Sequence, residues 1–201
     1  ATGEGGWEDA VASANALATA LNIPPEAVLL ASTGVIGERI KMNALIAGIP
    51  TLVAAANHDG GDTAAQAIMT TDLVSKSIAF ETTIGDRSVR IGGMAKGSGM
   101  IHPNMATLLA FITCDAAVST TLWQQMLGRA ADRSFNQITV DGDTSTNDTL
   151  IALANGESRT PAIFRPGAEA DKLEAMLTAV CQYLAKAIAR DGEGATCTIE
   201  V

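Results

Sequence analysis

Three observations predict a mixed α/β fold. Between Ser75 and Gly93 apolar and polar residues alternate through Ile78, Phe80 and Thr82 and again through Val89 and Ile91, with Gly85-Asp86 between the two arms, which is the pattern of a hairpin. Ala168 to Arg190 carries Leu173, Met176, Leu177, Val180, Leu184 and Ile188 at helical spacing. Two short continuous apolar runs, Ala27–Ala31 and Leu108–Ile112, have the composition of buried strands. With 201 residues, 47% of them hydrophobic, the chain can bury one sizeable core or two small ones.

In chain order, Glu8 to Leu21 is alanine-rich with Val11, Ala14, Leu17, Ala18 and Leu21 on one face, so it reads as a helix. Pro24-Pro25 separates it from the predicted strand Ala27–Ala31, which runs into the small-residue turn Ser32-Thr33-Gly34. Such a turn leaves backbone N–H groups free to face a ligand, although an ordinary turn is the default for this composition. Arg39 to Ala56 reads as helical, with Pro50 breaking or restarting it. Asp62 can cap a short helix through Ile68, leading into Met69-Thr70-Thr71-Asp72. After the hairpin, Thr107 to Thr113 is the next predicted strand. Ser119 or Thr120 can cap a helix to Phe135, with Leu122, Met126 and Ala130 inward. A short strand is expected around Gln137 to Val140, and another at Ile199-Glu200-Val201. The helix from Ala168 stops at Asp191-Gly192.

The hairpin delivers the chain into Gly92-Gly93-Met94-Ala95-Lys96-Gly97-Ser98-Gly99-Met100-Ile101-His102-Pro103-Asn104-Met105-Ala106-Thr107. Its glycines and Pro103 read as a strained turn, with a single cation, Lys96, among the glycines and a hydroxyl, Thr107, at the start of the strand. A lone threonine there is by default a strand-start residue. The small Ala106 before it leaves a carbonyl accessible to attack.

Composition removes several alternatives. A net charge of −9 without any Lys/Arg cluster argues against a nucleic-acid partner. Cys114, Cys181 and Cys197 are odd in number and lack C-x-x-C spacing, so they read as free thiols in a reducing compartment. No apolar stretch is long enough for a membrane span and the start is unlike a signal peptide, so a cytoplasmic protein is expected. The two histidines, His58 and His102, build neither H-E-x-x-H nor a Ser-His-Asp set, and there is no G-x-S-x-G. His102 reads as a turn residue. No P-loop or dinucleotide fingerprint is present, and Asp141–Asp148 lacks the glycine and glutamate of a calcium loop, leaving a turn or a loop that buttresses a site. No metal is expected.

The glycine segment resembles the ornithine acetyltransferases, the bifunctional glutamate N-acetyltransferase/amino-acid acetyltransferase family of arginine biosynthesis, in its Lys96-Gly97-Ser98-Gly99-Met100-Ile101 and Pro103-Asn104-Met105-Ala106-Thr107. Three further stretches match in the family's order: Ser32–Gly37, Val140–Thr149 and Arg190–Thr196. The resemblance covers essentially the whole chain, and it implies a layered sheet-and-helix sandwich that cleaves itself between Ala106 and Thr107 as N-terminal nucleophile hydrolases do. It implies pieces 1–106 and 107–201 interlocked as one catalytic unit, with α and β pieces assembling as a heterotetramer. Because the family is roughly twice this long, a partial chain, incomplete at both ends, is expected. Thr107 becomes the nucleophile, Thr33 and Gly34 the oxyanion hole, Thr70 a substrate contact and Glu193 the partner of a substrate amine. Lys96 is the natural counter-charge for a substrate α-carboxylate. The implied substrates are N2-acetylornithine and glutamate; some members also accept acetyl-CoA as donor, and no other cofactor is expected. Two rival readings follow from the same residues: a self-cleaving aminopeptidase of similar architecture, and a non-catalytic fragment or binding module.

Overall fold

The computed structural model describes residues 3–102 and 108–201. It contains two compact units, residues 1–61 and 62–201. This division by packing is separate from the expected break between Ala106 and Thr107, which lies outside the described residues.

The first unit is built on helix α1 (Gly3–Leu21) and helix α2 (Met42–Ala55). Arg39 fastens the connecting segment to α1, donating to both carboxylate oxygens of Asp9 at 2.9 and 2.7 Å and to the Gly5 carbonyl at 3.1 Å. This bidentate pairing explains why Asp9, on an otherwise apolar helix face, is buried. The predicted strand Ala27–Ala31 does not form. Pro25–Ala27 is a 3₁₀ turn and the following residues are unpaired, with Leu29 and Leu30 exposed, because the unit offers them no strand to pair with among the described residues. The second helix starts three residues later than expected, and Pro50 lies inside it rather than ending it.

The second unit begins with helix α3 (Gly61–Ala67), in which Asp62 sits in the first turn rather than at the cap. Strand β1 (Lys76–Ile84) and strand β2 (Arg87–Lys96) form the expected hairpin around Gly85-Asp86. Gly85 adopts φ 61°, the left-handed conformation that two-residue hairpin loops with glycine first require. Strand β3 (Leu109–Cys114) pairs antiparallel with β2, and strand β4 (Thr149–Ala154) pairs parallel with β3, giving the sheet order β1-β2-β3-β4. The parallel step needs a crossover, and helix α4 (Thr120–Asp132) supplies it. Helix α5 (Ala168–Arg190) packs on β1, β2 and α4. One core of Ile91, Ile112, Met126, Leu173, Val180 and Leu184 fills the space between sheet and helices. The result is mixed α/β, with sheet and helices in layers.

Three expectations are corrected here. Gly92 and Gly93 belong to β2 and not to a turn. A Cβ on Gly93 would stand 2.7 Å from Ile112 Cδ1 and 2.8 Å from Val180 Cγ1, so its bareness serves close packing of α5 on the sheet. Gln137 to Val140 forms no strand: Phe135–Gln137 is a 3₁₀ turn, and the Val140 N–H donates to the Ile101 carbonyl instead. Ile199–Val201 is likewise not a strand. Strand β4, by contrast, was not foreseen.

Candidate active site

The end of β2 delivers Lys96 into the interior, where it is 4% exposed. Around it three chain segments converge: the loop between α3 and β1, the glycine segment after β2, and the turn after α5. A buried ion cluster ties them. Lys76 Nζ donates to Asp72 Oδ1 at 2.7 Å and to Asp191 Oδ2 at 2.6 Å, with all three side chains almost fully buried. Asp72 also accepts the Gly97 N–H at 2.7 Å and the Thr70 N–H at 3.1 Å. Asp191, capping α5, accepts the Leu73 N–H at 3.0 Å and the Val74 N–H at 3.4 Å. Burying charge is costly unless it is paired and hydrogen-bonded, and here each carboxylate meets both Lys76 and backbone N–H groups. Burial alone would raise the Asp72 carboxyl. The Gly97 N–H, Lys76 and the Thr70 N–H outweigh that and hold it below the usual carboxylate range.

The glycine segment is joined to the turn after α5 as well. The Glu193 N–H donates to the Ser98 carbonyl at 2.7 Å, and the Ser98 and Thr71 hydroxyls lie 2.7 Å apart. The Glu193 side chain lies over Gly99: a Cβ there would stand 2.5 Å from Glu193 Oε2. The Glu193 carboxylate is thus near enough to act on the opposite charge of Lys96. Burial pushes the Lys96 ammonium below the usual lysine range, Asp72 opposes this, Lys76 adds to it, and Glu193 opposes it. Among the described residues Lys96 forms no ion pair of its own.

The acidic loop after the second 3₁₀ turn grips the glycine segment from both sides. Asp141 accepts the N–H groups of Met100 at 2.5 Å and Ile101 at 2.9 Å, holding Met100 at φ 59°, a conformation that costs a non-glycine residue about 1 kcal/mol. Asp148 accepts the Leu108 N–H at 3.0 Å. Burial raises Asp148, only partly offset by the Leu108 N–H, whereas Asp141 is lowered because backbone donors outweigh its burial. The loop thus braces the backbone at Met100, Ile101 and Leu108.

Of the predicted site residues, Thr70, Lys96 and Glu193 are brought to this one region of the second unit. Thr70 is exposed and lies beyond the end of α3. Thr33 and Gly34 lie in the loop between the helices of the first unit, with no helix directly after them. Open space surrounds the Cβ position of Gly34. Ala106 and Thr107 lie outside the described residues. His102 faces Thr139, its ring Nδ1 3.4 Å from the Thr139 hydroxyl. Sequence reasoning missed Asp72, Lys76 and Asp191. The pair four residues apart lies in a loop and a strand start, so no helical spacing marked it.

With this geometry in view, the family model described as "ArgJ family" matches residues 1–201. The chain belongs to the ArgJ family. Among ArgJ relatives, the "Arginine biosynthesis bifunctional protein ArgJ 1" of Nostoc sp. is 77% identical over 201 residues, covering all of this chain and 49% of that protein. The ArgJ protein of Synechococcus sp. is 74% identical over 201 residues, again all of this chain and 48% of that protein. A poplar relative named chloroplastic is 56% identical over 204 residues, covering the whole chain and 42% of the relative. The crystal structure of the Bacillus halodurans ArgJ protein is 40% identical, with a TM-score of 0.47 over 52% of this chain and 55% of that one. The chain thus spans about half the length of the curated ArgJ relatives it matches. No helix among the described residues is long and apolar enough to cross a membrane, and no group of described His, Cys, Asp and Glu residues is arranged to hold a metal.

Proposed function

We propose that this chain is part of an acetyltransferase of arginine biosynthesis that moves an acetyl group from N2-acetylornithine to glutamate through Thr107. Membership of the ArgJ family over the whole chain supports the class of activity. The observation that supports the substrate reading is the nearness of buried Lys96 to Glu193, which lies over Gly99, because a cation and a carboxylate in one region suit an amino acid with an α-carboxylate and a side-chain ammonium.

The chemistry has two stages. The Thr107 hydroxyl attacks the Ala106 carbonyl, the C–N bond breaks in an N-to-O acyl shift, and water hydrolyses the resulting ester. This leaves a carboxylate on Ala106 and a free amine and hydroxyl on Thr107. An α-amine with a pKa of about 7.7–8.0 can take the proton from its own hydroxyl, so one residue supplies nucleophile and base. In turnover the Thr107 oxygen attacks the acetyl carbonyl, ornithine leaves with its amine protonated, and an acetyl ester forms. The glutamate amine then attacks that ester, releasing acetylglutamate and restoring the hydroxyl. Thr33 and Gly34 would stabilise the oxyanion, each such donor contributing about 3–4 kcal/mol. Acetyl-CoA as an alternative donor and assembly of the cleaved pieces as a heterotetramer belong to the same proposal.

The test is intact mass of the purified protein with and without Thr107→Ala. The expected result is a break ahead of Thr107 in the native protein, a single uncut chain in the variant, and an acetyl adduct on the Thr107 piece after acetylornithine is added without glutamate. An unbroken native chain that still transfers acetyl groups would refute the mechanism. Release of an amine from an aminoacyl anilide without transfer to glutamate would favour an aminopeptidase.

A further inference from the structure

Lys76 is buried, and its ammonium bonds carboxylates from two of the three converging segments, Asp72 before β1 and Asp191 after α5. Its two carboxylate partners are otherwise occupied only by backbone N–H groups. The charges facing Lys96 are Asp72, Lys76 and Glu193. Asp72 is one of the acids Lys76 neutralises, and it also holds the N–H of Gly97, the residue directly after Lys96. An ammonium with a choice between a buried protein carboxylate and a ligand carboxylate is lost to the ligand when the protein carboxylate is unpaired, because desolvation strengthens the attraction between the buried pair.

We infer that Lys76 is a positioning residue for substrate binding: by occupying Asp72 and Asp191 together it keeps Lys96 available to a substrate carboxylate and holds the segments bearing Thr70, Lys96 and Glu193 in register. This rests on the acetyltransferase reading for the identity of the substrate, while the link from Lys76 through Asp72 to the residue after Lys96 stands on the hydrogen bonds. With Lys76 present, the two acids and two lysines form a neutral set, and Glu193 at the rim remains for the ligand's ammonium. Without it, Asp72 competes for Lys96.

The experiment compares native protein, Lys76→Arg and Lys76→Met, expressed as the full-length protein, by steady-state kinetics and by calorimetric titration with glutamate, which needs no turnover. A variant with Lys76→Met and Asp191→Asn together removes the charge imbalance that threatens folding and leaves Asp72 unpaired. For this double variant and for Lys76→Met, KM for acetylornithine and for glutamate and the calorimetric Kd should rise at least about tenfold, as expected when a charged contact is lost. Lys76→Arg, which retains the charge, should restore values within about threefold of native. A purely structural role predicts a fall in maximal rate proportional to the unfolded fraction with KM unchanged. That outcome, or a native KM and Kd in the folded double variant, overturns the inference. Absence of acetyl transfer by the native protein counts against the acetyltransferase reading instead, and the glutamate titration still decides the role of Lys76.

Discussion

Gly93 and Gly99 are alike in sequence and opposite in what an added methyl would meet, so the pair separates core packing from site geometry. At Gly93 a Cβ stands 2.7 Å from Ile112 Cδ1, 2.8 Å from Val180 Cγ1 and 3.0 Å from Leu184 Cδ1. Carbon atoms rest at about 3.5–4.0 Å, so three methyl groups of fully buried side chains would each have to retreat by roughly 0.5–1 Å. Those side chains lie on β3 and α5, with no free space behind them in a close-packed interior. With three contacts too short at once, the overpacking cost lies in the upper part of the usual range, about 2–3 kcal/mol. The gain from restricting the unfolded chain, about 0.4–1 kcal/mol, offsets only part of it. For a chain of this size each kcal/mol moves the melting temperature by about 2–4 °C, so Gly93→Ala should melt roughly 2–10 °C lower. At Gly99 the obstacle is the end of the Glu193 side chain, 2.5 Å away, which can swing aside. Gly99→Ala should therefore melt within about 2 °C of native while, on the proposed acetyltransferase reading, KM for acetylornithine rises, because the swung carboxylate would no longer meet the ammonium of the proposed substrate. Differential scanning calorimetry on both variants checks the first half and steady-state kinetics the second. If Gly93→Ala melts like the native protein, or Gly99→Ala loses stability and keeps its KM, the reasoning is refuted.

Lys96→Met should leave the melting temperature at pH 7 unchanged or raised while abolishing substrate binding. A lysine whose folded pKa lies below its unfolded value opposes folding while charged, and that opposition fades as pH rises, so methionine removes a cost; a thermal melt against pH combined with a glutamate titration reads both effects. Asp148 has the opposite kind of group and the opposite pH dependence: its folded pKa is raised, so it favours the fold fully below the unfolded value of 3.8 and loses that contribution as pH climbs through the folded value. Asp148→Asn retains an oxygen for the Leu108 N–H and should stabilise at pH 7 but not at pH 3, as denaturant melts at the two values would show. Burial pushes the Cys114 thiol up to about 11 and the Cys181 thiol to about 12, whereas Cys197 is exposed. One thiol should therefore alkylate rapidly at pH 8 in the native protein and three after denaturation, a count that mass spectrometry reads directly.

What the sequence made legible was local periodicity. The stripe of Leu173, Met176, Leu177, Val180, Leu184 and Ile188 on α5 is entirely buried, and the hairpin turned where Gly85 said it would. What failed was inference about pairing. Ala27–Ala31 and Leu150–Ala154 are equally apolar runs, yet the first stays unpaired and the second becomes β4, because a strand needs a neighbour and composition carries no record of one. The glycines misled for a related reason. Gly92 and Gly93 read as turn residues, but both lie on β2, and at Gly93 the need for a missing Cβ comes from β3 and from a helix far along the chain.

The same blindness to distance explains the candidate site. Lys96, Thr70 and Glu193 could be proposed because motifs mark them one by one, whereas the groups that bring them together could not. Asp72 and Lys76 bond to each other across a loop, and Asp191 joins them from 115 positions away. Each of these acids sits where a bland reading is available, one before a strand and one at a helix end, and only the fold reveals that a single ammonium serves both. On the proposed reading, a site that keeps Lys96 free for a ligand needs its other charges satisfied beforehand, since any unpaired acid nearby would take that cation first. The buried trio is thus the part of the site that motif reading is least able to find and that the chemistry most requires.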